Sequence, residues 1–273
     1  MNFIDLVIQP FSYVFMQRGL LAGTMVGILC AVMGTYVVLR GMAFLGDALA
    51  HAIMPGVAIA YLLDGNLLIG ALVAAAIVAI GIGLFSHQGV IKEDTAIGIL
   101  FPASLSLGVA LISSIRSSAV DLSHILFGNV LGISTTDLWI TFGLGSIVLI
   151  TVFLLYRPFM VISFDPVLAA TLRLPAELLR MVMLMLLALT VVISLQTVGV
   201  GLSAAMLVTP AATAYLLTRR LAPMMAISAV IGAISSLVGL FISFYLGLAS
   251  GSVIVLTATL IFMVVFLIKK GRR

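Results

Sequence analysis

Repeated apolar stretches dominate this chain, and each is about as long as the roughly 20 residues needed to cross a lipid bilayer. Of its 273 residues, 63% are hydrophobic and 8% are charged. A soluble domain carries about 25% charged residues, so a water-soluble core does not account for this composition. The sequence therefore predicts an all-α, polytopic membrane protein, and its single cysteine, Cys30, excludes an internal disulfide.

The apolar stretches define nine candidate membrane spans. They lie near residues 19–39, 43–63, 67–85, 95–115, 135–156, 179–195, 201–217, 224–246 and 250–268. The segments 179–195 and 201–217 are short and are separated by Gly199 and Gly201, which makes one of them a candidate for a broken or re-entrant helix. We therefore expect a bundle of eight or nine transmembrane helices.

No composition shift divides the chain, so residues 1–273 are expected to form a single membrane domain. Residues 1–17 lack a basic leader before a short apolar core and do not resemble a cleaved signal peptide. Their aromatic residues predict an amphipathic segment at the membrane surface, in contact with lipid.

The basic residues orient the spans. The net charge of +4 comes mostly from residues at the ends of apolar runs, which favours a role in topology over nucleic-acid binding. Because Lys and Arg concentrate on the cytoplasmic side, the C-terminal KKGRR and the loop 157–180 are expected inside the cell. The segments 116–134 and 196–200 then fall outside.

The sequence patterns of several common enzymes are missing. The chain contains no GxxxxGK[ST], HExxH or GxSxG, and it has three histidines. It therefore lacks a P-loop for ATP and the zinc-protease signature. We expect no catalytic residues and no permanently bound cofactor, and we favour transport over catalysis.

Polar residues occur within the second span, in LGDALAHAIMPG. A helix rises about 1.5 Å per residue, so Asp47 lies about 10 Å above Arg40 and His51 about 16 Å, near the middle of the membrane. Residues four apart share a helix face. Pro55 lacks the N–H that would bond the carbonyl of His51 and is expected to kink the helix there.

Two interpretations of Asp47 and His51 follow. Ionisable groups at this depth are costly and usually face a polar cavity or a partner. A carboxylate, an imidazole and a spare carbonyl are ligand types for Mn²⁺, Zn²⁺ or Fe²⁺, which favours an ion site whose other ligands come from other helices, water or a second copy. The alternative is a hydrogen bond between the two side chains that only packs helices together.

Three further places carry polar residues of interest. His124, in DLSHILFGN on the predicted outer side, could contact an incoming ion or a docking protein, although an ordinary loop histidine is favoured. Glu93 and Asp94 begin a span, where acidic residues stabilise helix N-termini. In SFDP, Asp165 and Pro166 are typical of an N-cap and first helical residue, so a short inner helix is expected either to dock a soluble partner or to lie on the surface.

Taken together, six segments of the chain resemble the membrane subunit of bacterial ABC importers for manganese, zinc and iron. They are LRGMAFLGDALAHAIMPGVA, EDTAIGILFPASLSLGVALIS, DLSHILFGNVLGIS, SFDPVLAATL, QTVGVGLSAAMLVTPAATAYLL and ASGSVIVLTA. They follow this order and extend from about residue 35 to residue 260. GDALAHAIMPGVA and LVTPAATAYLL are the most specific of them.

The resemblance implies a type II-like ABC permease in the bacterial plasma membrane. It implies a homodimer that works with cytoplasmic ATPase subunits and an extracytoplasmic metal-binding lipoprotein. In the family, the residues that match Asp47 and His51 have been proposed to contact the ion. The loop with Phe164, Asp165 and Pro166 matches the coupling helix that receives the movement of ATP hydrolysis.

The chain departs from the family pattern in the coupling motif, where Pro166 stands in the usual place of a glutamate. This departure suggests a particular ATPase partner. The histidine in DLSHILFGN is more similar to the manganese branch than to the zinc branch, so Mn²⁺ is the expected cargo. Zinc or iron import by the same architecture, and a proton-coupled secondary metal carrier, are the alternatives.

Overall fold

The computed structural model describes residues 9–87, 91–113, 130–164 and 166–271. No β-strand occurs among them. The described part contains a short 3₁₀ turn at Val130–Gly132 and twelve α-helices. The helices are α1 (Val14–Leu39), α2 (Ala43–Ala52), α3 (Met54–Leu62), α4 (Leu67–Phe85), α5 (Glu93–Ser113), α6 (Thr135–Leu154), α7 (Tyr156–Phe164), α8 (Pro166–Thr171), α9 (Ala176–Val198), α10 (Val200–Leu217), α11 (Leu221–Leu246) and α12 (Ser250–Lys270).

Eight helices in the described part are long and apolar enough to cross a membrane, when α2 and α3 are counted as one. A ninth apolar helix, over Ser203–Leu217, is shorter. Helix α10 as a whole has 18 residues, Val200–Leu217, which is close to the length needed to cross the hydrocarbon core. The predicted bundle of eight or nine helices is confirmed.

Local sequence fixes where several helices begin. The Asn66 side chain accepts hydrogen bonds from the main-chain N–H groups of Leu68 and Ile69 at the start of α4. Ser134 and Asp137 form a reciprocal capping box at the start of α6. These bonds satisfy main-chain donors that have no partner within the helix, which matters most near a membrane, where water is scarce.

Helix α1 occupies the centre of the bundle and packs against α11, α10, α9 and α6. Two glycines permit its closest approach, because a Cβ added at Gly27 would collide with the carbonyl oxygen of Gly232, and the reverse substitution would also collide. Small residues at such crossings let membrane helices touch through their backbones. The Ser228 hydroxyl adds a hydrogen bond of 2.9 Å to the carbonyl of Ala31 in the same interface.

A single residue joins α9 to α10. Gly199 has φ 88° and ψ 166°, a conformation that is open to glycine and strained for other residues. Its N–H donates to the carbonyl of Leu195, and its carbonyl accepts from the N–H of Ser203. The interruption expected between these two segments is therefore confirmed at Gly199.

The N-terminal segment is described from residue 9 onward. Phe11 stacks edge-on against Phe241 with ring centroids 5.6 Å apart, and Tyr13 lies 5.8 Å from Phe244. These contacts hold the start of α1 against the end of α11. The amphipathic role of residues 1–17 stays a prediction, because residues 1–8 lie outside the described part.

Candidate functional site

Asp47 and His51 lie one turn apart on α2, as their spacing predicts. The His51 Nδ1 atom is 3.0 Å from the main-chain carbonyl oxygen of Asp47 and 3.5 Å from its Oδ1 atom. On the other side, the ring of Phe101 from α5 meets the imidazole edge-on, with centroids 5.6 Å apart. The imidazole is thus oriented by its own helix and by one aromatic neighbour.

The helix face that carries this pair is only partly covered by the rest of the described chain, and we call it the open face of α2. The Asp47 and His51 side chains are 44% and 27% exposed, and Phe44, one turn earlier, is 76% exposed. On the opposite face of α2, Leu45 and Leu49 are fully buried. Because an ionisable side chain inside a bilayer avoids lipid, this open face must meet water or another protein surface.

The expected kink falls at Ile53, between α2 and α3. Pro55 stands in the first turn of α3 and leaves the α-helical bond to the His51 carbonyl unmade. The structure corrects one expectation here, since that carbonyl is not spare: the N–H of Ile53 donates to it. The site on α2 therefore consists of one carboxylate and one imidazole.

The hydrogen bond from His51 determines which ring nitrogen is available to an ion. A carbonyl oxygen can only accept, so Nδ1 carries a proton and, in the neutral ring, Nε2 keeps its lone pair. A histidine held in this way is ready to bind a metal through Nε2. No group of three or more His, Cys, Asp or Glu side chains suited to a metal occurs among the described residues.

A second group of polar residues, not expected from the sequence, lies at the end of the bundle where α1 and α4 end and α5 and α9 begin. The Oε1 atom of Glu93 accepts from Arg40 at 2.9 Å and from Arg180 at 3.3 Å. All three side chains are largely buried, with 12–16% of their surface exposed. We call Arg40, Glu93 and Arg180 the inner cluster.

Glu93 lies in the first turn of its helix, as expected, and its carboxylate also binds two arginines from other parts of the bundle. Its partners are 53 and 87 positions away, and a local pattern does not reveal such distant pairs. The only signal in the sequence was that Arg40, Glu93 and Arg180 are charged residues at the ends of apolar runs. Burial lowers the pKa of Arg40, and the Glu93 carboxylate opposes this effect.

Arg180 also closes the end of α4. It donates to the carbonyl oxygens of Gly83 at 2.9 Å and Ser86 at 3.1 Å, and to the Ser86 hydroxyl at 2.8 Å. These carbonyls lie at the end of α4, where carbonyl groups have no hydrogen-bond donor within the helix. Its remaining carboxylate partner is Glu177 of its own helix, at 2.6 Å.

The coupling segment, by which we mean residues 164–172 of the predicted coupling loop 157–180, is mostly helical in its described part. Phe164 ends α7 and Pro166 begins α8, while Asp165 lies outside the described residues, so its N-cap role stays a prediction. This segment exposes a set of large apolar side chains, namely Phe164, Val167, Leu168 and Leu172. His124, the candidate on the outer face, also lies outside the described residues.

The fold and the site define a class of protein. It is a multi-pass helical membrane protein with an Asp–His pair inside one span and two further helices, α9 and α10, that are joined at a single glycine. The sequence matches the ABC 3 transport family over residues 12–269. The chain belongs to this family of ABC transport proteins.

Relatives and a solved structure agree with this assignment. The chain is 47% identical over 258 residues to the manganese transport system membrane protein MntC of Halalkalibacterium halodurans, covering 94% of this chain and 88% of that protein. It is 39% identical over 260 residues to the chelated iron transport system membrane protein YfeD of Yersinia pestis, covering 95% of this chain and 87% of that protein. It superposes with a TM-score of 0.85 on a chain of PsaBC from Streptococcus pneumoniae in complex with Fab, at 39% identity, over 97% of this chain and 95% of that one.

Proposed function

We propose that the chain is the permease subunit of an ABC importer that carries Mn²⁺ into the cell, with ATP hydrolysed by a separate subunit. The observation that carries this proposal is the open face of α2, which presents Asp47 and His51 within a membrane span. A carboxylate and an imidazole in that position are suited to a divalent ion in transit.

A second copy of the chain supplies what the first lacks. In a two-fold dimer each copy contributes the same patch, so two copies that meet along α2 bring together two carboxylates and two imidazoles. Four such groups are enough for a transient site, with water filling the remaining positions. The ion is bound only while it passes, and the protein keeps no resident metal.

Manganese is favoured among the divalent ions. The relative at 47% identity is named for manganese transport, and the carboxylate oxygens suit Mn²⁺, which prefers harder ligands than Zn²⁺. The same groups also bind iron, and one relative at 39% identity is named for iron transport. Iron, and after it zinc, is therefore the alternative cargo.

The partners follow from the exposed surfaces and from the family. The apolar side chains of Phe164, Val167 and Leu168 on the coupling segment offer a docking surface to a cytoplasmic ATPase. An extracytoplasmic metal-binding lipoprotein delivers the ion at the other end of the pathway, on the side of His124. The C-terminus then lies in the cytoplasm, as the basic residues predict.

The test is reconstitution in vesicles of this chain with its ATPase and metal-binding protein. We expect radiolabelled manganese to enter only with ATP, with iron competing more weakly. Metal uptake by vesicles that contain this chain alone, under a proton gradient, distinguishes an ABC importer from a secondary carrier. Metal uptake by the chain alone would overturn the proposal, and so would ATP-driven uptake that excludes manganese.

A further inference from the structure

The inner cluster lies between the two parts of the chain that transport requires. On one side, Arg40 is the C-cap residue that follows α1, and it precedes the first residue of α2, Ala43, by three positions. On the other side, Arg180 lies in the second turn of α9, which directly follows the coupling segment. Glu93, the first residue of α5, binds both arginines through one oxygen atom.

The connection from α8 to Arg180 is short and held by the main chain. Residues 172–175 separate the two helices. The N–H of Leu174 donates to the carbonyl of Ala169 at 3.0 Å, and the N–H of Ala176 donates to the carbonyl of Leu174 at 2.8 Å. A displacement of α8 is therefore passed to the first turns of α9 rather than absorbed by a slack loop.

The connection from Arg40 to Asp47 and His51 is equally direct. Met42 donates its N–H to the carbonyl of Val37, and the N–H of Leu45 donates to the carbonyl of Met42, so the turn between α1 and α2 is closed by hydrogen bonds. Asp47 follows on the second turn of α2. Helix α5, which begins at Glu93, packs along both α2 and α3 and supplies the ring that contacts His51.

We propose that Glu93 is a positioning residue that links movement of the coupling segment to the ion pathway, by holding Arg180 of α9 and Arg40 beside α2 on one carboxylate. This inference rests on the proposed function, because it requires an ATPase that moves α8. It assigns to Glu93 a role in transport without contact with the ion.

The carboxylate of Glu93 can be removed from this link while the other hydrogen bonds of Arg180 remain. Without its carboxylate, Arg180 keeps its hydrogen bonds to Gly83 and Ser86, so α9 stays attached to α4. Among the described side-chain contacts, Arg40 would keep a weak one of 3.9 Å with the sulfur atom of Met183. Loss of the charge therefore removes the polar link between the α2 side and the α9 side, while the packing of α9 against α1 and α2 remains.

Two other roles for Glu93 are possible, and the chain offers a control for each. If the carboxylate only favours the N-terminus of α5, then Asp94, in the same first turn and exposed, serves equally well. If any carboxylate on Arg180 is enough, then Glu177, which binds the same guanidinium from one turn away on α9, serves equally well. Glu177 also contacts His87 beyond the end of α4, at 3.4 Å, but it has no described contact with Arg40.

The experiment compares Glu93→Gln, Asp94→Asn and Glu177→Gln in the reconstituted importer. ATP hydrolysis and manganese uptake are measured in the same vesicles. For Glu93→Gln we expect ATP hydrolysis to stay within about twofold of the parent while the manganese imported per ATP falls about fivefold or more, the lower end of typical coupling between sites. Both control variants are expected to retain the ratio of the parent.

A parental ratio in Glu93→Gln would overturn the inference, and so would an equal loss in all three variants. If Glu93→Gln does not assemble, Arg40→Gln replaces it, because glutamine removes the positive charge that pairs with Glu93 through one nitrogen of the guanidinium. The same fall in the ratio is expected, and an unchanged ratio would overturn the inference. Failure of the parental complex to import metal with ATP would instead contradict the proposed function.

Discussion

The Nδ1 atom of His51 lies 3.0 Å from the main-chain carbonyl oxygen of Asp47, one helical turn earlier. This bond orients the imidazole through the backbone, so the orientation persists even when the Asp47 side chain is altered. It also leaves Nε2 directed away from its own helix, as a ligand atom needs. The two residues therefore contribute separately to an ion site, one through oxygen and one through nitrogen.

The first prediction concerns this pair. Replacement of both side chains, in Asp47→Ala with His51→Ala, should abolish manganese uptake while the complex still assembles, because both groups lie on an open face and support little packing. Each single substitution should reduce uptake by about 10-fold or more, since loss of even a supporting group near a metal costs about 10- to 100-fold. Uptake of radiolabelled manganese in cells measures the effect.

His87→Ala is the matched control for the histidine, because His87 is half-exposed, lies beyond the end of α4 and pairs only weakly with Glu177 at 3.4 Å. It should leave uptake unchanged. Normal manganese uptake by the double variant at Asp47 and His51 would remove this route for the ion.

The second prediction concerns the kink. Pro55→Ala restores an N–H that can bond the carbonyl of His51 and thereby favours a continuous helix through Ile53. We expect the complex to fold, with a thermal midpoint no lower than that of the parent. Manganese uptake should fall several-fold, because the helix that carries Asp47 and His51 is straightened. Uptake equal to that of the parent would show that the kink is not needed for transport.

The third prediction concerns the coupling segment. Val167 on α8 is 76% exposed. Val167→Asp should weaken co-purification with the ATPase, because it places a charge in an apolar contact, whereas Val167→Ile should retain it. Asp165→Arg, at the position that the family resemblance singles out, should also reduce co-purification. Complex formation and ATPase stimulation that are unaffected by both charge changes would exclude this segment as the docking site.

The fourth prediction concerns the contact between α1 and α11. Gly27→Ala should destabilise the folded chain by about 1–3 kcal/mol, the usual cost of adding atoms to a packed interface, because the new methyl group meets the carbonyl of Gly232 and the hydroxyl of Ser236. Gly143→Ala is the control, since nothing lies within 4 Å of a Cβ at that exposed position. It should be neutral or stabilising by up to about 1 kcal/mol. Thermal unfolding in detergent compares the two, and equal effects would contradict this account.

The sequence predicted what depends on neighbours along the chain. The span 67–85 coincides with α4, and Pro55 marked the break at Ile53, because apolar runs and proline act locally. The spacing of Asp47 and His51 placed them on one face for the same reason. Their exposure was not predictable, because it depends on which helices do not pack against α2. The inner cluster was missed for a related reason, since Glu93 meets arginines from distant helices.

The open face of α2 has a consequence for the life of the subunit in the cell. A copy that has not yet found its partners holds the carboxylate of Asp47 against lipid, an arrangement that costs at least a few kcal/mol. Such a lone copy should be a preferred substrate for membrane proteases. The amount of this chain in the membrane would then follow the supply of its assembly partners.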